Sequence, residues 1–453
     1  MREKTLIKDY TSGPVGRQLI SFAWPFMISN LLQMAYNLVD MSVVGKYVGA
    51  AGLAAVSTGS DLNHMFLFWA VGLSNAGQVL ISQYIGLRDR ESISRIVGTM
   101  FTTLIAVSAA VAVLGLSVLD WALGVLNVPP ESLTYCRQYS VCLTLGLPLM
   151  YGYTMISAML RGMGDSKRPM VFIAIASIVN VILDILFVRG GMGPFGAALA
   201  TVIAQGVSFL ISLVYLWRSR DRLGFDFHPR RLIPDRRNLG LLVKLGVPMM
   251  LQNSAISISS LFVLSRINSF GVTVSAVTGV GAKLSTVASI VTLALSQTGA
   301  TMVGQNFAAR KFRRVGSALT TAAAVGLAFV TVLSAAIILW PEQVFALFSS
   351  DAAVLAMSHA YVPIAVLNYY GWALRGPSVA LCNGMGFPLM NFVLGMIDGV
   401  VMRIGLCVLL GDVLGMGVQG YWLSGALAGY TYFLIMLPYL LSGRWKRRAP
   451  AAA

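Results

Sequence analysis

The most regular feature of the chain is a series of long apolar runs that contain no Asp, Glu, Lys or Arg. Each run is long enough for a bilayer-spanning helix, which needs roughly 20 apolar residues. The runs cover residues 18–39, 62–87, 96–119, 138–160, 190–217, 245–265, 284–309, 315–341, 352–374, 376–397 and 413–443. Charged loops and Gly or Pro residues divide them into about twelve predicted helices, near 18–39, 50–80, 95–119, 138–160, 169–189, 195–217, 241–266, 275–304, 316–339, 353–378, 387–411 and 418–441. The pattern predicts an all-α integral membrane protein.

Composition supports the same fold class. Of the 453 residues, 57% are hydrophobic and only 11% are charged, whereas soluble domains carry about 25% charged residues. The mean hydropathy is +0.76. Too few polar side chains remain to cover the surface of soluble domains of this size.

The net charge of +16 would suit a nucleic-acid partner, but its distribution favours a different interpretation. Basic residues concentrate in alternate segments between the apolar runs, at 2–17, 88–95, 161–168, 218–244, 310–314 and 444–448. Such segments face the cytoplasm by the positive-inside rule. Both termini are therefore predicted to be cytoplasmic, the number of helices is even, and no nucleic-acid partner is expected. The first apolar run has no small-residue cleavage site and is predicted to remain as a helix.

The two halves of the chain resemble each other. Pro25 and Asn30 correspond to Pro248 and Asn253 at an offset of 223. SNAGQVLISQYIGLR aligns without a gap to SQTGATMVGQNFAAR at an offset of 222, and RGMGDSKRPM aligns to CNGMGFPLM at its glycines. Because each half has six predicted helices, both halves begin on the same side of the membrane. Transporters place the substrate path at the interface of such repeats.

This duplication predicts the domain organisation. Residues 1–217 form an N-lobe with helices one to six, and residues 241–441 form a C-lobe with helices seven to twelve. Residues 218–240 form a cytoplasmic basic linker with seven arginines, and 442–453 form a cytoplasmic basic tail. The sequence predicts no enzyme and no cofactor, because the four cysteines and three histidines show no metal spacing and no nucleotide-binding or hydrolase motif is present.

Ionisable residues inside predicted helices are candidates for function, because a charge there costs about 2.5–3.5 kcal/mol on insertion scales. They are Asp40, Asp61, Asp184, Lys283, Arg375, Asp398 and Arg403. Asn180 and Asp184 are four residues apart and share a helix face, and Asp40 and Thr201 lie on the first and sixth helices. This oxygen set suits a small hard cation, and it suits a proton equally. Alternatively, Asp40 lies at the aqueous mouth while Asn180 and Asp184 bond helix backbones.

Three segments carry a resemblance to a known family: PFMISNLLQMAYNLVDMSVVGKYVGAAGLAAVS, GLSNAGQVLISQYIG and LRGMGDSKRPM. In this order they resemble the multidrug and toxic compound extrusion (MATE) transporters over about residues 15–440. The resemblance implies a V-shaped, two-lobed bundle that exports amphipathic, often cationic compounds in exchange for H⁺ or Na⁺. Asp40, Asn180, Asp184 and Thr201 stand where the DinF-like branch keeps its N-lobe cation site, and they would bind the metal ion if Na⁺ is the coupling ion. The C-lobe acids of the NorM-like branch are missing, since the corresponding helices carry Gln252, Asn253 and Lys283.

A second group of residues is predicted to line the substrate cleft or its gate: Gln33, Tyr36, Asn37, Asp61, Met249, Gln252, Lys283 and Arg403. Methionine surfaces suit varied apolar ligands. Asp61 and Lys283 are 222 residues apart, and so occupy equivalent positions in the two repeats. They could pair when the outer side closes, act separately on a cationic substrate, or each reach the outer aqueous mouth.

The sequence therefore predicts secondary active multidrug efflux by antiport with H⁺ or Na⁺, through alternating access and with cation coupling in the N-lobe. A lipid-linked sugar flippase of the wider superfamily is the alternative. The expected location is the inner membrane of a bacterial-type cell, with several spans. The expected partners are amphipathic small molecules, the coupling ion and the lipid bilayer, and a monomer is expected. The sequence does not choose between H⁺ and Na⁺.

Overall fold

The computed structural model describes residues 6–126, 128–223 and 233–453, so the middle of the predicted basic linker lies outside the described residues. Within the described residues all regular structure is helical, which confirms the all-α prediction. The α-helices are α1 (Val15–Val48), α2 (Ala50–Leu87), α3 (Arg90–Val125), α4 (Pro130–Leu145), α5 (Leu147–Gly162), α6 (Lys167–Phe187), α7 (Gly193–Arg218), α8 (Arg220–Leu223), α9 (Arg236–Asn268), α10 (Val272–Ala308), α11 (Phe312–Leu339), α12 (Pro341–Ala346), α13 (Ala352–Met385), α14 (Pro388–Met396), α15 (Gly417–Ala428) and α16 (Thr431–Leu441). Two π-helical segments, Ile397–Ile404 and Cys407–Val413, follow α14.

Many of these helices can span a membrane. In the described part of the chain, nine helices are long and apolar enough, or ten when the pair α4 and α5, bent by 50°, is taken as one span. This count treats Lys167–Arg218 as one helix and leaves out α1. Gly191 and Gly193 have positive φ angles of 91° and 56° and separate α6 from α7. Each of the twelve predicted helices thus has a helical counterpart, and the protein is a multi-pass membrane protein.

Several helices are longer than the sequence predicts. We expected Asp40 to close the first helix, but α1 continues to Val48. Helix α13 runs through Pro363 and Pro377 to Met385. Prolines do not end such helices, because neighbouring groups in a membrane protein can satisfy the freed backbone carbonyls. The predicted boundaries stopped at charges and prolines, whereas the helices do not.

The described chain divides into two compact units. Unit 1 contains Met1–Asp9 and Trp24–Val247, and unit 2 contains Tyr10–Ala23 and Pro248–Ala453. The start of α1 therefore belongs to unit 2, where Gly16 lies against Thr321. The start of α9 belongs to unit 1, where Gly246 lies against Leu73. Both helices change unit next to the prolines that correspond in the two repeats, Pro25 and Pro248.

The repeats share details of packing that the sequence alignment does not reveal. In unit 1, a Cβ atom added to Gly59 would lie 2.4 Å from the Tyr139 ring. In unit 2, a Cβ atom added to Gly281 would lie 2.2 Å from Tyr361. Both the glycines and the tyrosines are 222 residues apart. Each unit therefore contains, at this repeat position, a close helix crossing in which a tyrosine ring covers a glycine, as small residues allow in membrane proteins.

Surface and backbone features also recur at the same offset. Arg137 pairs with Asp120 at 2.7 Å, and His359 pairs with Glu342 at 3.0 Å. Among the described residues, the non-glycine residues with positive φ are Arg88 at 60° and Arg310 at 58°. Both follow the long second helix of a repeat. Such left-handed residues are uncommon outside glycine, so their recurrence indicates that the two units share a backbone plan.

The glycine under Tyr361 gives a test of this packing. Tyr361 also contacts Phe345 and Trp422 edge to face, so movement of its ring would disturb both contacts. We expect Gly281→Ala to lower the stability of the purified protein by about 1–3 kcal/mol, as overpacking does. The measurement is the apparent Tm in detergent. Gly279→Ala is the matched control, because a Cβ atom there meets nothing within 4 Å and alanine favours the helix. An unchanged Tm for Gly281→Ala would contradict the close crossing.

Candidate functional site

Helices α6 and α7 of unit 1 bring together three of the residues that the sequence singled out. Asn180 and Asp184 lie one helical turn apart on α6, and both are buried. The side-chain amide of Asn180 donates to the Thr201 hydroxyl on α7 over 3.3 Å. The amide thereby uses its nitrogen on Thr201 and leaves its carbonyl oxygen free for another group.

Helix α1 contributes Asp40 and Tyr36 to the same region. Asp40 is buried, and Tyr36 lies one turn before it on the helix. The Tyr36 hydroxyl accepts a hydrogen bond from the side-chain amide of Gln205 on α7 over 3.4 Å. Negative charges on Asp40 and Asp184 would both act on this hydroxyl, and Asp40 also acts on Asp184. The structure thus places Asp40, Asn180, Asp184 and Thr201, the predicted cation-coupling set, in one region of unit 1.

Four oxygens of this set have no donor among the described residues. Both carboxyl oxygens of Asp184, Oδ1 of Asp40 and Oδ1 of Asn180 are buried and have no hydrogen-bond partner in the described part of the chain. A buried carboxylate without a partner is costly, so it binds a proton or a cation instead. We call Asp40, Asn180, Asp184 and Thr201 the acidic site. Its oxygens can hold a proton or a small hard cation.

Two further residues belong to this region that the sequence did not single out. Gln205 lies one turn after Thr201 on α7, and the spacing of four residues was a signal for it. Together with Tyr36, Asn180 and Thr201 it lines a small cavity. Tyr139 on α4 shares a hydrogen bond with Ser60 over 3.0 Å. Negative charges on Asp40 and Asp184 would also act on the Tyr139 hydroxyl. No sequence pattern pointed to Tyr139. No group of three or more His, Cys, Asp or Glu side chains that could hold a metal ion occurs in the described residues.

The predicted cleft and gate residues fall in both units. In unit 1, Gln33 is half-buried, while Asn37 and Asp61 are exposed. In unit 2, Met249 and Gln252 are buried, and the Gln252 amide donates to the Tyr432 hydroxyl. Their assignment to a substrate cleft stays a prediction.

Two basic cleft candidates of unit 2 have different surroundings. Lys283 is exposed, and its ammonium group lies 5.6 Å from the centre of the Phe348 ring. Arg403 is largely buried and lies beside Asp398. Lys283 and Asp61 belong to different units, so their predicted pairing stays a prediction.

Repeated helical units, spans of membrane length and a buried acidic site are features of a membrane transporter built by duplication. The comparison with protein families agrees with this class. The MatE family model matches the chain twice, over residues 25–186 and 248–409, once in each repeat. The chain belongs to the MatE family, which is a family of transporters and not of enzymes.

Known relatives match almost the whole chain. The probable multidrug resistance protein YoeA of Bacillus subtilis is 26% identical over 454 residues, which cover 98% of each chain. The FAD transporter of Shewanella oneidensis is 24% identical over 415 residues and 88% of each chain. A solved MOP superfamily transporter from Pyrococcus furiosus shares 21% identity with a TM-score of 0.90 over 99% of both chains. This structure supports the two-lobe fold.

The Thr201 hydroxyl gives a test of the acidic site. Cation binding stabilises the folded protein, so the apparent Tm should rise with Na⁺ concentration or with falling pH. We expect Thr201→Val to shift the half-maximal Na⁺ or H⁺ concentration about tenfold. The valine removes a polar contact near a charge, which contributes about 1.5–3 kcal/mol. Thr201→Ser keeps the hydroxyl and should resemble the wild type. Equal half-maximal concentrations for Thr201→Val and Thr201→Ser would show that the Thr201 hydroxyl does not contribute to cation binding.

Proposed function

We propose that the protein is a secondary active transporter that exports amphipathic, often cationic organic compounds in exchange for H⁺ or Na⁺. Relatives named multidrug resistance or multidrug export proteins support this substrate class. One relative is named an FAD transporter, so the substrates of such relatives are not all alike. The assignment to the DinF-like branch belongs to this proposal and rests on the four residues of the acidic site.

The observation that carries the proposal is the acidic site in unit 1. Asp40 and Asp184 are buried and interact with each other, and three of their carboxyl oxygens have no donor in the part of the chain that the structure describes. Two negative charges in such a place repel each other and are poorly solvated. Binding of H⁺ or Na⁺ relieves both costs, so the charge state of unit 1 depends on the cation gradient.

Coupling follows if the two access states differ in cation affinity. A ligand shifts a conformational equilibrium only by its differential affinity for the two states. When the acidic site is accessible from the outside, abundant cations load it and favour the loaded conformation. Release to the inside leaves the carboxylates charged, and a cationic substrate can then be attracted to unit 1. The coupling cation and the cationic substrate therefore use the site alternately, as antiport requires.

We also propose the orientation in the membrane. The basic segment Arg444–Arg447 follows α16, and the basic residues of 218–222 lie at the end of α7 and in α8. Both α7 and α16 would then end at the cytoplasmic surface. This orientation places both termini in the cytoplasm and fits the inner membrane of a bacterial cell. The loop between α9 and α10 faces the outside in this arrangement.

The first test neutralises the acidic site. Asp40→Asn and Asp184→Asn should each lower gradient-driven dye efflux at least about tenfold, because an amide neither binds a proton nor carries the charge. Efflux is measured in proteoliposomes with H⁺ and Na⁺ gradients imposed separately. Asp120→Asn is the control, because Asp120 is an exposed acid of the same unit whose ion pair with Arg137 contributes little. Gradient-driven dye efflux by Asp120→Asn should stay within about twofold of the wild type.

The outcomes separate the parts of the proposal. Efflux in the wild type that neither gradient drives would exclude antiport. Full efflux in both acidic-site variants, at equal protein levels, would exclude coupling through unit 1. The gradient that drives the wild type identifies the coupling ion.

The second test determines the orientation. All four native cysteines are buried, so introduced cysteines report their own position. Ile233→Cys lies in the basic linker and Val272→Cys lies at the start of α10, next to the loop after α9, and both wild-type residues are exposed. In intact cells, a membrane-impermeant maleimide should label Val272→Cys and spare Ile233→Cys, while permeabilised cells should label both. The reverse pattern would invert the orientation and the direction of transport.

A further inference from the structure

Unit 2 contains a buried charged cluster that the acidic site does not involve. The carboxylate of Asp398 has no exposed surface, and it lies 3.3 Å from a guanidinium nitrogen of Arg375. A guanidinium nitrogen of Arg403 lies 3.8 Å from the other carboxyl oxygen. Arg403 also donates to the Ser260 hydroxyl on α9 over 3.1 Å. We call Arg375, Asp398 and Arg403 the arginine cluster.

An unusual helix geometry builds this cluster. Asp398 and Arg403 are five residues apart within the π-helical segment Ile397–Ile404. In an α-helix, residues five apart point in different directions, since three or four residues make a turn. The π-helix bonds residue i to residue i+5, so it brings these two residues to the same side. Such segments are rare and occur frequently at functional sites.

The arginine cluster contains more positive than negative charge. Two arginines share one carboxylate, and the charged groups of the described chain that act on Arg403 are Asp398 and Arg375. The cluster therefore carries a formal excess of one positive charge at membrane depth. A buried charge of this kind is retained in membrane proteins mainly where it faces a partner or an ion pathway.

Hydrogen-bond donors of the cluster are also unused. The Nε atoms of Arg375 and Arg403 are buried and have no hydrogen-bond partner within the described residues. The contacts to Asp398, at 3.3 and 3.8 Å, are longer than the 2.7–2.9 Å or so of a charge-assisted hydrogen bond. The side chains of Arg375 and Arg403 keep 21% and 13% of their surface exposed, whereas Asp398 keeps none. The two guanidinium groups are thus the accessible part of the cluster.

A purely structural ion pair would explain this cluster less well. Such a pair needs close contacts and balanced charge to offset the desolvation of its ions. Here the contacts are long and the charge is unbalanced. The Arg375 guanidinium also lies 4.9 Å from the centre of the Tyr432 ring, and this aromatic surface adjoins the charged groups. A charged site beside an aromatic face suits an amphipathic ligand.

We propose that the arginine cluster binds the carboxylate of a transported amphipathic compound. Guanidinium groups bind carboxylates through paired N–H donors, and the excess positive charge needs one anionic group. Asp398 is a positioning residue that holds both guanidinium groups in place. This inference rests on the proposed transport function and extends its substrate class from cations to zwitterionic and anionic amphiphiles.

Two dyes that differ in one group give the test. Rhodamine B has a free carboxylate, and its ethyl ester has the same ring system without that charge. Equilibrium binding of each dye to the full-length protein is measured by fluorescence polarisation in phosphatidylcholine nanodiscs, with no gradient present. We expect Arg403→Gln to weaken rhodamine B binding about tenfold and to change binding of the ester less than twofold. Arg403→Lys, which keeps the charge, should retain part of the affinity.

Arg266→Gln is the matched control. Arg266 is a half-exposed arginine of unit 2 that pairs with Asp412 at 3.8 Å, so its removal should affect neither dye. Equal weakening of both dyes by Arg403→Gln would indicate a structural role and overturn the proposal, and so would unchanged binding of both. Loss of rhodamine B binding when phosphatidylglycerol is added to the nanodiscs would indicate that the cluster binds lipid headgroups. This result would also overturn the proposal.

The experiment also separates this inference from the proposed antiport. Dye binding is measured without a gradient and dye transport is measured with one, so the two results are independent. If the wild type binds rhodamine B through Arg403 but no gradient moves the dye, the antiport proposal fails and the binding site stands. If transport is gradient-driven but Arg403→Gln does not discriminate between the dyes, only the binding site fails.

Discussion

The constraint on which this structure depends is that the bilayer core offers no water to the polypeptide backbone. Every backbone group at that depth must find its partner within the protein, so the chain folds into long helices. Helix interfaces then need small residues, because apolar side chains gain little from leaving lipid. The crossings at Gly59 and Gly281, each covered by a tyrosine, show how closely the helices approach as a result.

The same constraint makes every buried polar side chain informative. Unit 1 holds two acids with three carboxyl oxygens that have no donor among the described residues, and unit 2 holds two arginines that share one acid. Neither group is neutral and fully bonded, as a structural network would be. Each arrangement leaves a charge to be satisfied from outside the chain, and the signs are opposite. This difference supports the proposed roles of the two units, which are cation binding in unit 1 and recognition of anionic groups in unit 2.

Most of the fold was predictable from the sequence, because span length and charge distribution are set by the bilayer itself. The helices, the duplication and the gathering of Asp40, Asn180, Asp184 and Thr201 follow from spacing and resemblance. The continuation of α1 past Asp40 was not predictable, since a single acid does not reveal whether it faces protein or water. Neither was the arginine cluster, because helical spacing separates Asp398 from Arg403 and only the π-helical segment joins them. Tyr139 was missed because its proximity to Asp40 and Asp184 depends on helix packing.

The duplication explains how one scaffold can carry both sites. When the repeats are aligned at Pro169 and Pro388, which are 219 residues apart, Asp184 corresponds to Arg403. The same position therefore has opposite charges on the fifth and eleventh predicted helices. Both α6 and α14 continue into π-helical segments, Val188–Met192 and Ile397–Ile404. The first segment is interrupted at Gly191, and the second contains Arg403. After duplication, each copy could change its buried charges without altering the tyrosine–glycine crossings that hold its helices together. The two halves of one duplicated fold thus carry different buried charged groups, and in the proposed antiport one half would bind the coupling ion and the other an anionic group of the substrate.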